Sequence, residues 1–375
     1  MSDRRFVVTP WEVRGEVDYD KLIEEFGVQP ISEELEERFK RYTGGKLHLQ
    51  IRRRIFFSHR DFDWILDSYD SGERFFLYTG RGPSGHTHIG HIIPWIFTKD
   101  LQKCFDVEVY FQLTDDEKFL VKPDLRLEDT ISYAYDNALD VIACGFEKGK
   151  TWLFLDTEYI KTLYSIALRI AKHTTFSTVK AVFGFTSSTN IGMIFFPAIQ
   201  AAPCFLPSVV RGRNIPCLIP AAIDQDPYWR GVARAVAPKL GFYKPAQIHC
   251  KFLPGLGRGG KMSASQPETA IFTTDKPEVA EVKIMNAYTG GQPTVREQKA
   301  KGGNPDICPI YHYYLFLFEE DDSKLKERYL NCRSGSLLCG DCKENLAKRV
   351  SSFLKDHQKR RMEARNILED FILRD

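Results

Sequence analysis

From Arg74 to Pro254, apolar runs of strand length alternate with segments of helix length, and this alternation constrains the fold more than any other feature. RFFLYT, VEVYFQLT, TWLFLD, CLIPAAID and AQIHCKFLP read as strands. The stretches from Thr87 to Cys104, LEDTISYAYDNALDVIACGF and TLYSIALRIAKH carry helical spacing. Strands separated by helices pair in parallel, with helices covering both faces of the sheet. The fold class expected is therefore α/β, a Rossmann-like doubly wound parallel sheet over residues 73–275. Before it, residues 1–72 read as a hairpin-like arm followed by helices. One of these is near Ser32–Arg41 with Ser32 as N-cap, and another is near His59–Tyr69. After 275 the strand pattern fades, and residues 276–375 read as a helical domain broken at GGQPT and AKGGNPD.

Ligands of doubly wound sheets sit at the carboxyl ends of the strands, and four polar segments fall there. LYTGRGPSGHTHIGH places glycines, Arg81, His88 and His91 between a strand and a helix. Glycines allow close backbone approach, and a helix start favours anions, so the turn suits phosphate or is an ordinary βα turn. FQLTDDEKFL ends in Asp115, Asp116, Glu117 and Lys118. These acids either hold Mg²⁺ or an ammonium group, or simply open a helix. LIPAAIDQDPYWR reads as a turn in which Asp226 caps a helix ahead of Pro227, leaving Gln225 to point inward. LPGLGRGGKMSASQP sets Lys261, Ser263 and Ser265 after four glycines, a mobile cationic loop able to clamp phosphates.

Net charge is +2, so a nucleic-acid partner must be met by a local basic patch. No run of about 18 apolar residues is read, so no membrane span is expected, and the N-terminus lacks a signal-peptide core. Cytoplasm is the expected location. Nine scattered cysteines argue against a disulfide framework. Cys332, Cys339 and Cys342 include one CGDC, with His357 within reach as a fourth ligand. A lone CxxC is weak, so free thiols are expected and no protein-bound metal.

Chain order makes the set specific. His88-Ile89-Gly90-His91 and the later KMSAS resemble the HIGH and KMSKS signatures of the class I aminoacyl-tRNA synthetases. YTGRGPS, QLTDDEK, FPAIQAAP, IPAAIDQDPY and KMSAS are similar to the tryptophanyl branch of eukaryotes and archaea, without its large appended N-terminal domain. The resemblance implies ATP-dependent activation of L-tryptophan through tryptophanyl-adenylate, then transfer to tRNA(Trp), with Mg²⁺ and a homodimer. It implies catalytic roles for His88, His91, Lys261, Ser263 and Ser265. It implies ATP contacts by Arg81, Gly82, Pro83, His88, Gly90, His91, Lys118, Ile219, Lys261, Met262 and Ser263. Tyr78 and Gln112 would accept the indole N–H, while Glu117, Gln200 and Gln225 would hold the ammonium and carboxylate. Two departures stand out: the loop at 84–86 is one residue short of the eukaryotic pattern, and Ala264 replaces a signature lysine. The helical domain would read the anticodon, and HQKRRMEAR is either an RNA contact or a solvated face. Tyrosine as the substrate, or a catalytically idle relative, are the alternatives.

Overall fold

The computed structural model describes residues 6–8, 13–15, 17–263 and 266–375 of the chain. A seven-stranded sheet runs in the order β3-β4-β9-β8-β5-β6-β7. Its parallel part comprises β5 (Phe76–Arg81), β6 (Val109–Leu113), β7 (Thr151–Leu155), β8 (Cys217–Ala222) and β9 (Ala246–Cys250). All five were legible as apolar runs, because parallel strands are buried on both faces. Two strands were not legible. β4 (Phe56–Arg60) pairs antiparallel with β9, and β3 (Gln29–Pro30) pairs antiparallel with β4. The helix expected from His59 therefore begins only at Phe62, since the short run IFFSHR merges in pattern with the Phe62–Asp70 helix behind it. At the N-terminus, β1 (Phe6–Val8) and β2 (Val13–Gly15) form the expected antiparallel arm. Ser32 caps the Glu33–Lys40 helix, its hydroxyl accepting from Leu35 N at 3.2 Å.

Strand order reverses at β5. The chain passes from β5 outward to β6 and β7, then crosses to β8 and β9 on the other side. The crevice outside the carboxyl ends of β5 and β8 is thus the topological switch point.

Two large apolar clusters cover the faces of the sheet, one holding Phe76, Tyr78, Phe196 and Trp229. The other is continuous from Leu77, Trp95 and Phe111 into Tyr313, Tyr314, Leu346 and Leu354 of the C-terminal helices. The helical part therefore shares a core with the sheet. Residues 191–211 correct the expectation that no stretch is long and apolar enough to span a membrane: the eighteen most apolar consecutive residues among them have a mean hydropathy of 1.7. They are 72% buried inside the fold, as core helices are. The continuous helix read across YHYYLFLFEEDDSKLKERYL is also interrupted, stopping at Phe318 and restarting at Asp322.

The basic run HQKRRMEAR is neither a free RNA patch nor a solvated face throughout. His357 donates to buried Asp140 at 2.8 Å, and Arg361 pairs with both Asp140 and Asp136. Arg360 donates to the Ala143 carbonyl at 2.7 Å. These contacts bolt the Cys339–Ala364 helix onto the Leu127–Ala143 helix. Burial alone would raise the Asp140 carboxyl, but His357 and Arg361 outweigh it and hold the group below its usual range. Breaking one partner of such a pair strands a buried charge, which costs about 3–5 kcal/mol. Arg361→Met should therefore lower unfolding stability by that amount in urea titration, and Asp140→Asn in the same chain should recover part of it. A wild-type midpoint for Arg361→Met would show that the pair contributes nothing.

Candidate active site

The site is built at the carboxyl ends of β5, β6 and β8. Strand β5 delivers Tyr78 and Arg81, and the turn after it leads into the Ile89–Phe105 helix with His88 at the N-cap. Gly80 lies opposite Gln112, where a Cβ would meet the Gln112 carbonyl at 2.8 Å. At Gly82 a Cβ would overlap the Lys118 side chain, so both glycines allow close approach. Pro83 is buried beneath the turn.

The His88 and His91 rings stack with centroids 3.5 Å apart, and His91 Nδ1 accepts from the His88 backbone N–H at 3.2 Å. That bond fixes the proton of a neutral His91 on Nε2. Burial holds both imidazoles well below their ordinary pKa, and the nearby Arg81 and Lys261 charges add to it. Both rings are therefore neutral at pH 7. His88 Nδ1 and Arg81 Nε are buried polar atoms with no hydrogen-bond partner. Such orphans are costly unless a ligand completes them. Gly90 faces this cradle, and a Cβ there would lie 3.1 Å from the His88 ring and 3.7 Å from Met262 Cβ. The two signature segments thus touch through Gly90 and Met262. Ile89 N also donates to the Ile271 carbonyl at 3.0 Å, and Thr273 N to Thr87 O at 2.9 Å.

Both lysines of the site are already paired. Lys261 Nζ is 2.9 Å from Asp224 Oδ2, and Lys118 Nζ is 2.8 Å from Glu117 Oε1. Thr114 donates to the other Glu117 oxygen at 2.9 Å. Ser263 is half-buried beside the loop, while Ser265 and Ala264 lie outside the described residues.

Next to the cradle sits a buried amide–phenol knot. The Tyr78 hydroxyl lies 2.5 Å from Gln112 Oε1 and 3.0 Å from the Gln200 carbonyl, and accepts from Gln200 Nε2 at 3.0 Å. Gln112 Nε2 donates to both oxygens of Asp156 at 2.8 and 3.0 Å. Asp156 thereby turns the amide so that Oε1 faces the Tyr78 hydroxyl. Gln200, readable in sequence as a surface amide, is only 9% exposed. Gln225 is half-buried at the end of β8. Ile219 is fully buried with its side chain in the apolar core, so it has only backbone to present. Asp226 does not cap a helix; it is buried in an ion pair with Arg60 at 2.6 Å.

Sequence reasoning missed Asp156 and the pairing role of Asp224. Asp156 ends the run TWLFLD, so its position at a strand's carboxyl end was the available signal. Burial raises the Asp156 carboxyl well above its usual range and lifts Asp116, beside it, to about 7.

With this geometry in view, comparison with known proteins is decisive. The model of the family described as tRNA synthetases class I (W and Y) matches residues 70–355. The chain belongs to that family. It is 56% identical over 371 residues to the tryptophan–tRNA ligase of Pyrococcus furiosus, covering 98% of this chain and 94% of that protein. Among solved structures, the tryptophanyl-tRNA synthetase of Plasmodium falciparum superposes with a TM-score of 0.88 at 40% identity, covering 95% of this chain and 97% of that one. The enzyme from Encephalitozoon cuniculi, solved bound to tryptophan, gives 0.86 at 36% identity, covering 96% and 98%.

The carboxyl pair Asp116–Asp156 has a pH consequence for this synthetase-family chain. Its protons are held more tightly in the fold than in the unfolded chain, so the native state binds more protons between about pH 4 and 7. That stabilisation is present at low pH and lost as pH rises through about 7. Asp156→Asn keeps an acceptor for Gln112 and should flatten this decline in denaturant midpoints measured across the range. An unchanged slope would mean that the pair does not carry it.

Proposed function

We infer that the chain is a tryptophan–tRNA ligase. It forms tryptophanyl-adenylate from ATP and L-tryptophan, releases pyrophosphate, and passes the acyl group to tRNA(Trp) with release of AMP. The observation that carries this reading is one juxtaposition. A buried knot of Tyr78 and Gln112 lies beside a cradle in which His88 and Arg81 keep unsatisfied polar atoms and His91 stacks on His88. The names of the relatives, and the tryptophan in the Encephalitozoon enzyme, support it.

In this reading the indole N–H donates to Tyr78 and Gln112, whose amide Asp156 holds in the accepting orientation. An indole without those partners leaves a buried N–H unmet, which costs about 1–3 kcal/mol. The tryptophan ammonium takes the place of Lys118 on Glu117, with Gln200 and Gln225 at the amino and carboxyl groups. Lys118 and Lys261 then turn from their carboxylates to the phosphates. The substrate carboxylate is already ionised at pH 7, so its attack on the α-phosphorus needs no base. Catalysis rests on positioning and on donors that meet charge as it moves onto pyrophosphate. Neutral His88 and His91 act there as N–H donors; Gly82, Pro83 and Gly90 shape the turn, and Met262 and Ser263 bring the loop to it. Ile219 contributes through its backbone. Mg²⁺ arrives with ATP, held chiefly by phosphate oxygens and water. The enzyme works in the cytoplasm as an isologous homodimer, the commonest symmetric assembly, with anticodon contacts in residues 276–375.

Amino-acid-dependent exchange of pyrophosphate into ATP, run across all twenty amino acids, tests the reading. Exchange should require tryptophan, and a preference for tyrosine would overturn the specificity while leaving the fold untouched. Gln112→Ala should weaken tryptophan use by about 1–3 kcal/mol while leaving ATP KM nearly unchanged.

His91→Ala and Lys261→Ala should each lower activation kcat by about 10²–10³, as removal of a preorganised donor does. Tryptophan affinity by calorimetry should hold. Full kcat with weakened ATP affinity would make the cradle a ground-state binding site instead.

A further inference from the structure

The cysteines read as free thiols acquire a fourth member in the fold. Cys308, distant in sequence, lines one small cavity of about 20 Å³ together with Cys332, Cys339 and Cys342. His357, the fourth ligand suggested by sequence spacing, is committed elsewhere, to Asp140. The four sulfurs come from three segments. Cys308 precedes the Pro309–Tyr313 helix, Cys332 lies in the last turn of the Asp322–Ser334 helix, and Cys339 and Cys342 open the Cys339–Ala364 helix.

Two glycine pairs, the breaks GGQPT and AKGGNPD, press backbone against these sulfurs. A Cβ on Gly291 would sit 2.4 Å from Cys339 Sγ, and one on Gly303 would sit 2.9 Å from Cys332 Sγ. The chain therefore reserves room for sulfur there at the cost of a side chain. Cys308 itself is buried at the start of its helix, in the same apolar core as Ile310 and Tyr313. Arg328 Nη1 is 3.5 Å from Cys342 Sγ, with its guanidinium stacked over Tyr314. A cation beside converging sulfurs is among the surroundings that suit thiolates bound to metal.

We propose that Cys308, Cys332, Cys339 and Cys342 form a tetrathiolate site for a thiophilic metal centre, zinc or an iron–sulfur cluster. Four soft sulfur donors suit these two occupants and exclude Mg²⁺ or Ca²⁺. Among the described residues, no group of three or more His, Cys, Asp or Glu side chains is yet drawn onto one point. Loading therefore includes rotation of the four side chains about χ1 into the cavity they share. Each thiol gives up its proton as its sulfur bonds the metal, so a single zinc ion releases four protons and no electrons move. The centre would clip three segments of the helical domain.

The test uses the full chain purified anaerobically, under reduction and without chelator. Zinc, iron and acid-labile sulfide are measured per chain. About one equivalent of zinc without sulfide identifies a mononuclear site. Iron with matching sulfide and a visible absorption bleached by dithionite identifies a cluster. Cys308→Ser and Cys339→Ser should each lower bound metal at least about tenfold, while Cys104→Ser, outside the quartet, should retain it. If the serine variants fail to fold, titration of reduced metal-free wild type with Co²⁺ decides. Thiolate charge-transfer bands with intense tetrahedral d–d bands support the site. Well under one equivalent of either metal together with no such bands overturns it. So does metal that survives both serine substitutions, or a quartet found closed as two disulfides.

Discussion

A single line of hydrogen bonds crosses the carboxyl ends of three neighbouring strands, and the site depends on it. It runs from Tyr78 on β5 through Gln112 on β6 to Asp156 just past β7. The line exists because of register. Tyr78 pairs with Tyr110 and Gly80 with Gln112, so Tyr78 and Gln112 stand two residues apart in the ladder and face the same side. A slip of one residue would send Gln112 to the opposite face. The absent side chain at Gly80 lets β6 bring Gln112 close, since a Cβ there would strike its carbonyl at 2.8 Å. The placement of the Gln112 amide beside Tyr78 thus begins as a sheet-pairing constraint.

The electrostatics of the site follow from how little net charge it can bury. Both lysines rest on carboxylates, both histidines are neutral, and Asp116 and Asp156 hold on to a proton. The cluster is therefore kept near neutrality by its internal partners. Arg81 is the exception: burial lowers its pKa to about 10, which still leaves it charged. It is the fixed cation around which the mobile ones rearrange.

Much of this was legible in the chain. The five parallel strands were readable because burial on both faces makes each a continuous apolar run, and the strand ends were readable because ligand chemistry collects there. What escaped was held by long-range contacts. β4 looked like the start of a helix, since only pairing with β9 makes IFFSHR extended. HQKRRMEAR looked like a basic surface, because nothing local shows that His357 and Arg361 face Asp140. Cys308 could not be joined to the other cysteines by spacing, as Cys332 lies a full helix beyond it. Sequence patterns report a residue's own element well, and its partner across the core poorly.

The turn carrying His88 is held from behind. His86 bonds Asp136 at 3.0 Å, and Asn137 donates to the Gly85 carbonyl at 3.1 Å. Asp136 is also the partner of Arg361 on the C-terminal helix. Gln358, one turn earlier on the same face, donates to the Thr273 and Asp275 carbonyls at 2.9 and 2.8 Å. Thr273 in turn bonds Thr87. One helix therefore grips the turn from two directions. That helix is 26 residues long, about 39 Å, and begins at Cys339. A cradle whose donors must meet a charge they do not follow needs supports that do not yield. The helical domain supplies them here, because its longest element shares a buried ion network with the catalytic sheet. The same contacts that merge the two cores also fix the geometry of the phosphate turn.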